Sequence, residues 1–408
     1  MKRPPIRYLV ASPSGDATID EGKLDYPLEG DPLKTSYREY FLAIADFLSG
    51  NDFQRLLQAI TAMSGAHAEL SNIGEIIVRS EKHGALSHPA SIECILGAYS
   101  VKFGLHVAVI DAGKDSLQRE FTTLKMLHSR FNLPYIPVPY VLHEMHSMVF
   151  LLEEWFDGYH EFHISRTGPD GQQLKLWEFG HGERFLTPAQ VFEIYRQAAK
   201  ILTIYYDLRE YRLIYPWHHA AGDFVVKIDE DINPPAPPFK KGGDHFNLFV
   251  KDNVQEIPTL AKGDEGGFSE KIDVRLTTVR GYEPFIRFDE TDMPHPALAL
   301  FYFFLHLSIQ MRLDKLDGVG ERAWAADSCV DATVTGFFEG LEVKSDISEC
   351  CGSIRSFLGL LQSFTKDEMI RTCVPIAEQF EKTKDYPLIQ KHLRDHADRL
   401  YLTLRNFP

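Results

Sequence analysis

The chain has 408 residues, 44% of them hydrophobic and 12% aromatic, which suits a folded protein with a sizeable core and room for two domains. Its formal net charge of −15 repels nucleic-acid backbones and anionic membrane surfaces, so neither is expected as the main partner. The five cysteines, Cys94, Cys329, Cys350, Cys351 and Cys373, are an odd number without CxxC spacing, which points to free thiols in a reducing compartment.

In chain order, residues 1 to about 35 are rich in Pro, Gly and Asp and read as an irregular arm. The opening MKRPPIRYLVASPSGDATID has no apolar run of signal-peptide length, so the expected location is cytoplasmic. From Ser36, SYREYFLAIADFLSGNDFQRLLQAITAM carries apolar residues at helical spacing, broken at Gly50-Asn51-Asp52, and predicts two consecutive helices. EIIVRSEKHGALSHPASIECIL, Glu75 to Leu96, predicts two strands joined near Gly84, and AYSVKFGLHVAVID predicts a third. Lys114 to Phe131 predicts an amphipathic helix with Leu117, Phe121, Leu124 and Leu127 on one face. A Pro-rich connector and the apolar strand MVFLLEEWF follow.

RTGPDGQQLKLWEFGHGERF reads as a hairpin insertion turning at Gly168-Pro169-Asp170-Gly171. Thr187-Pro188 supplies an N-cap and a first-position proline to a long helix, which delivers the chain into LIYPWHHAAGDFVVKID, Leu213 to Asp229. Residues 229–270, dense in Pro and Gly, read as a loop insertion, and KIDVRLTTVRGYEPFIRF returns to strand texture. The most apolar segment, Ala297 to Met311, is shorter than a bilayer requires and holds His306, so a helix buried on all sides is expected, with helices from there to the end. A strand-rich half before a helical half is an α+β signature. The sequence lacks GxGxxG, a Walker lysine loop, GxSxG and HExxH, which argues against Rossmann dehydrogenases, P-loop NTPases, α/β-hydrolases and zincins.

This order resembles the protein-kinase-like fold, in the branch of aminoglycoside and small-molecule phosphotransferases. The resemblance covers roughly Glu75 to the C-terminus. VKFGLHVAV stands where those enzymes carry the ATP-contacting lysine, and QREFTTLKML resembles the helix whose glutamate pairs with it. LLEEWFDGYHEF resembles the hinge, YPWHHAAGDFVVK the catalytic loop and strand, and VRLTTVRGY the segment of the metal-binding aspartate. The resemblance implies an N-terminal helical extension (1–72), a small β-rich lobe (73–155) and a large helical lobe (156–408).

It also implies roles, residue by residue. His218 falls at the position of the catalytic aspartate, with His219 beside it as a second base candidate, and Asp223 falls at the metal-binding asparagine. His106 stands where the lysine belongs and shares a strand face with Lys102, and Glu120 fits the helix glutamate. Thr278 replaces the second metal aspartate, with Arg280 two residues on as a phosphate-binding candidate and Asp273 as an alternative aspartate. Because the groups missing are those that bind charge, the expectation is a degenerate, pseudokinase-like protein with a nucleotide-binding, anion-binding or scaffold role, with a nucleotide or a protein as partner. The alternative is an atypical phosphotransferase using Mg²⁺ and ATP or GTP on a small molecule or protein. A metal-dependent hydrolase built on His218, His219 and Asp223 is a third reading.

Overall fold

A computed structural model describes residues 3–12, 14–81, 84, 86–168, 171–229, 271–284 and 296–408. The expected insertion at 229–270, apart from Asp229, and the turn residues Pro169 and Asp170 lie outside them. The architecture is mixed α+β.

The chain opens with strands β1 (Ile6–Ser12) and β2 (Gly15–Thr18), in a segment whose composition reads as an irregular arm. The reason is tertiary: β3 (Glu75–Ser80) offers an edge, and β1 lies parallel to it, Ile6 opposite Ile76 and Val10 opposite Ser80. Between them, α1 (Tyr37–Ser49) starts at a capping box in which Ser36 and Glu39 satisfy each other's backbone N–H, and α2 (Gln54–Ser64) follows the expected break. β4 (His88–Leu96) and β5 (Tyr99–Ala108) continue the sheet. Helix α3 (Asp111–Phe131), then β6 (Pro139–Met145) and β7 (Met148–Glu154), complete a seven-stranded order β2-β1-β3-β4-β5-β7-β6.

The two-residue period of the strands divides this sheet into unlike faces. Val78, Ile92, Phe103, Leu105, Phe150 and Leu152 form one, packed on Tyr40, Phe41, Ile44 and Phe47 of α1 and Leu56 of α2. The other carries Arg79, Ser91, Glu93, Lys102, Gly104, His106 and Glu153, as the cross-strand register requires. At its end Ala108, Val149 and Leu151 receive Leu117 and Phe121 of α3. Further along the same face, the C-terminal half of α3 sends Leu124 and Leu127 into the large core of the rest of the chain. This one helix therefore joins the small apolar patch at the end of the sheet to the large core, and its side chains lie beside the polar half of the sheet.

Residues 155–159 then carry the chain into a second sheet. β8 (His160–Gly168), β9 (Gly171–Glu178) and β10 (Gly182–Phe185) form a meander, α4 (Pro188–Tyr205) follows from a second capping box at Thr187 and Gln190, and β11 (Arg212–Ile214) precedes β12 (Phe224–Asp229) and β13 (Lys271–Leu276). The sheet order is β10-β9-β8-β12-β13, so the hairpin read as an insertion is integral: β8 pairs β12 at Val225–Glu161. The outer edge of β13 is closed by Gln197 of α4, whose amide accepts from Val274 N–H and donates to the Ile272 carbonyl, as a neighbouring strand would.

After β14 (Tyr282–Pro284), which pairs β11, the chain is mainly helical: α5 (Pro296–Gln310), α6 (Ser328–Glu342), α7 (Ile347–Cys351), α8 (Ile354–Ser363), α9 (Lys366–Glu378) and α10 (Tyr386–Asn406). Helix α5 is buried nearly all round. Helices α4 and α6 approach closely because α6 presents glycines: a Cβ at Gly336 would lie 2.0 Å from the Arg196 carbonyl oxygen. Among the described residues no helix is long and apolar enough to cross a membrane.

Candidate functional site

The loop between β11 and β12 is anchored at several points. Tyr215 N–H donates to the Gly281 carbonyl (3.1 Å), and Gln310 donates to the Trp217 carbonyl (2.8 Å). His218 ends the extended stretch: its Nδ1 accepts from Ala220 N–H at 3.0 Å, capping a single 3-10 turn, His219–Ala221. Gly222 then turns with φ +68°, where a Cβ would also lie 2.6 Å from Glu161 Oε1, so both backbone and space demand glycine. The turn returns Asp223 under the loop, where its Oδ2 accepts from His218 N–H at 2.7 Å.

The adjacent histidines have different surroundings. His219 is 2% exposed and boxed by Phe162, Tyr195, Trp217 and Phe224, with ring centroids 5.4–5.7 Å away, and with the Met311 backbone as polar neighbour. Burial pushes its pKa down to about 4, so it is a neutral core ring. His218 is half-buried, and burial also lowers its pKa. Because its Nδ1 accepts the Ala220 bond, the neutral ring carries its proton on Nε2, where it donates; accepting a proton there would require the other tautomer or a net positive ring.

Asp223, 0% exposed, is gripped by Arg280 in a bidentate pair: Nη1 to Oδ2 at 2.6 Å and Nη2 to Oδ1 at 2.7 Å. Burial works against the Arg280 charge, but the Asp223 hydrogen bond and charge outweigh it and hold the guanidinium above its ordinary pKa. The connection is reinforced by Thr277, whose N–H donates to the Asp223 carbonyl (2.8 Å) and whose hydroxyl donates to the Gly222 carbonyl (2.9 Å). Thr278 is half-buried next to it, its hydroxyl 3.5 Å from that of Thr277.

Glu120 comes in from α3. It is 4% exposed, and its Oε1 accepts from Val279 N–H at 2.7 Å, holding the backbone one residue before Arg280. Burial first, and the charge of Glu153 second, raise its pKa to about 7. His106, on β5, pairs with Glu153 Oε1 at 3.2 Å; burial lowers its pKa, but the Glu153 hydrogen bond and charge reverse that and leave it raised. The fold thus assembles His106, Glu120, Asp223 and Arg280, named from four separate stretches of sequence, into one partly buried electrostatic cluster. Lys102 shares the His106 face but stands apart, with Nζ 3.6 Å from Asp157 and 4.9 Å from the Trp155 ring centroid. Asp273 is also elsewhere, accepting from Tyr159 (2.8 Å) and Arg275 (2.7 Å).

One member was missed by sequence reasoning. Glu153 sits in the apolar run MVFLLEEWF, and only strand alternation counted from Leu151 places it on the face of His106.

The residues do not fit a magnesium ion as the fold stands. Both Asp223 oxygens are engaged by Arg280 and the His218 amide, so the carboxylate is neutralised before any divalent ion arrives. Among the described residues no group of three or more His, Cys, Asp or Glu side chains is placed to hold a metal ion, which leaves the hydrolase reading of His218, His219 and Asp223 without a ligand set. In comparisons with known proteins, no family model and no curated protein matches the chain.

Proposed function

We propose that this chain is a kinase-like protein that has relinquished phosphoryl transfer and works as a binding or scaffold protein. The fold half of the reading is supported by the order hairpin, strand, helix, paired strands, crossing segment, long helix, loop and antiparallel strand pair. It is also supported by where that order puts the named residues: Glu120 on the helix beside the sheet, His106 on the sheet, and Asp223 immediately before β12.

The observation that carries the functional half is the Arg280 clamp on Asp223. Phosphoryl transfer needs cations that neutralise the nucleotide's phosphates and a carboxylate free to hold them. Here an internal guanidinium takes up the carboxylate, His218 is a donor at Nε2 in its neutral form, and Glu120 holds a backbone N–H in place of a lysine. The arrangement favours a stable loop over a reactive one.

The test is a thermal-shift titration with ATP, GTP and ADP, each with and without Mg²⁺, alongside an assay of γ-phosphoryl transfer. Ligands that bind the folded state raise the melting temperature by mass action. The expected result is no magnesium-dependent rise and no transfer. A magnesium-dependent rise accompanied by nucleotide turnover overturns the proposal.

A further inference from the structure

A pocket of about 150 Å³ opens between the β8–β9 hairpin, the first turns of α4 and the entry to α6. Its floor is apolar and buried, with Ile164 1%, Leu174 4% and Tyr195 2% exposed. Its rim reaches solvent, where Gln172 and Ser328 are exposed.

The space follows from residue size. Further along, glycines press α6 onto α4: a Cβ at Gly340 would lie 2.6 Å from Thr203 Cβ. Where the chain enters α6, the wall is made by Ala325 and Ala326, whose side chains end at a methyl group, and α4 contributes the short Val191. Among the described residues no charged side chain lines the pocket. Asp327, the residue between Ala326 and Ser328, accepts from Arg312 at 3.0 Å and makes no cap bond to α6. The polar groups at the rim are neutral, the Gln172 amide and the Ser328 hydroxyl.

We infer that this pocket binds a small uncharged aromatic molecule, a single ring carrying a hydroxyl group, with the ring against Leu174 and Tyr195 and the hydroxyl at the rim beside Ser328. An apolar cavity of about 150 Å³ has room for one benzene ring. Tyr195 supplies an aromatic wall for it, and displacing loosely held water from apolar walls favours the ring further. A charged ligand would lose its hydration here with no counter-charge to meet it. Tyr195 also packs edge-on against His219, ring centroids 5.6 Å apart, so the pocket lies behind the loop that carries Asp223 and is independent of what that loop does with phosphate.

The experiment is an NMR titration of the full chain, labelled at its methyl groups, with benzyl alcohol, and with benzoate as a charged control of nearly the same shape. Benzyl alcohol is expected to shift the methyls of Ile164, Leu174 and Val191 saturably, and benzoate is not. Val191→Phe, whose ring takes up the space, is expected to weaken the alcohol about ten-fold or more; Val191→Ala, which enlarges the space by two carbons, is expected to move the preference about ten-fold toward 4-ethylbenzyl alcohol, larger by the same amount. Opposite effects at one half-buried position separate filling of the pocket from damage to the fold. Unmoved methyls, benzoate binding as tightly as the alcohol, an alcohol affinity untouched by Val191→Phe, or a preference untouched by Val191→Ala each overturn the site.

Discussion

Lowering the pH from 6.5 to 5 should cost this protein about 3 kcal/mol of stability, through histidines buried as neutral rings. His219, His306 and His396 have pKa values pushed down by burial to about 4, 3 and 3. Their stabilising contribution is complete above the unfolded histidine value and is lost as pH falls below it, because the unfolded chain takes up protons that the folded chain refuses. With an unfolded pKa of about 6.5, each loses about 1.6 kcal/mol over this interval, or about 5 kcal/mol together. Glu120 opposes them: its folded pKa of about 7 lies above the carboxylate's unfolded value, so it protonates in the folded chain first. That returns about 1.7 kcal/mol and leaves the net loss near 3.

The assay is urea unfolding at both pH values, followed by tryptophan fluorescence. His306→Phe keeps a ring against Phe380, with which His306 stacks at 5.3 Å, and should shrink the pH-dependent loss by about 1.6 kcal/mol. Stability that is flat or rises toward pH 5, or a pH dependence untouched by His306→Phe, would refute the assignment of these rings as neutral core groups.

Three further outcomes follow from the site and the packing. Asp223→Ala should cost about 3–5 kcal/mol by leaving Arg280 and the His218 amide unpaired, and Arg280→Ala a similar amount; the double variant should fall well short of the sum in a denaturant-measured mutant cycle. Additive costs would mean the pair is not coupled. Glu120→Gln keeps an acceptor for Val279 while removing a charge that is unfavourable above pH 7, so it should stabilise by about 3–4 kcal/mol at pH 8 and by about 1 kcal/mol at pH 5, as read by melts at each pH. Gly336→Ala pushes a methyl into the Arg196 carbonyl and should destabilise by about 1–3 kcal/mol; an unchanged melting temperature would disprove the close contact of α4 and α6.

What the sequence determined by itself is local. Ser36 with Glu39 and Thr187-Pro188 with Gln190 start helices because a side-chain oxygen three residues from its N–H partner needs no distant help. Gly50-Asn51-Asp52 separates two helices, and the apolar Ala297–Met311 stretch is buried for the same self-contained reasons. Glu120, Asp223 and Arg280 are named from the resemblance in element order, since no local pattern around them singles them out.

Tertiary structure decided what these residues are attached to. Asp223 and Arg280 are 57 positions apart and Glu120 and Val279 are 159 apart, so nothing in the spacing told that a guanidinium would close on the carboxylate or that a glutamate would hold a backbone amide. The two histidines look equivalent in a string, yet one is boxed by four aromatic rings drawn from three other elements and a neighbouring position, and the other caps a turn. The first strand reads as an arm until the free edge of β3 is set beside it. Charge partners, burial and sheet edges are properties of distances through space, and a sequence records distances only along the chain.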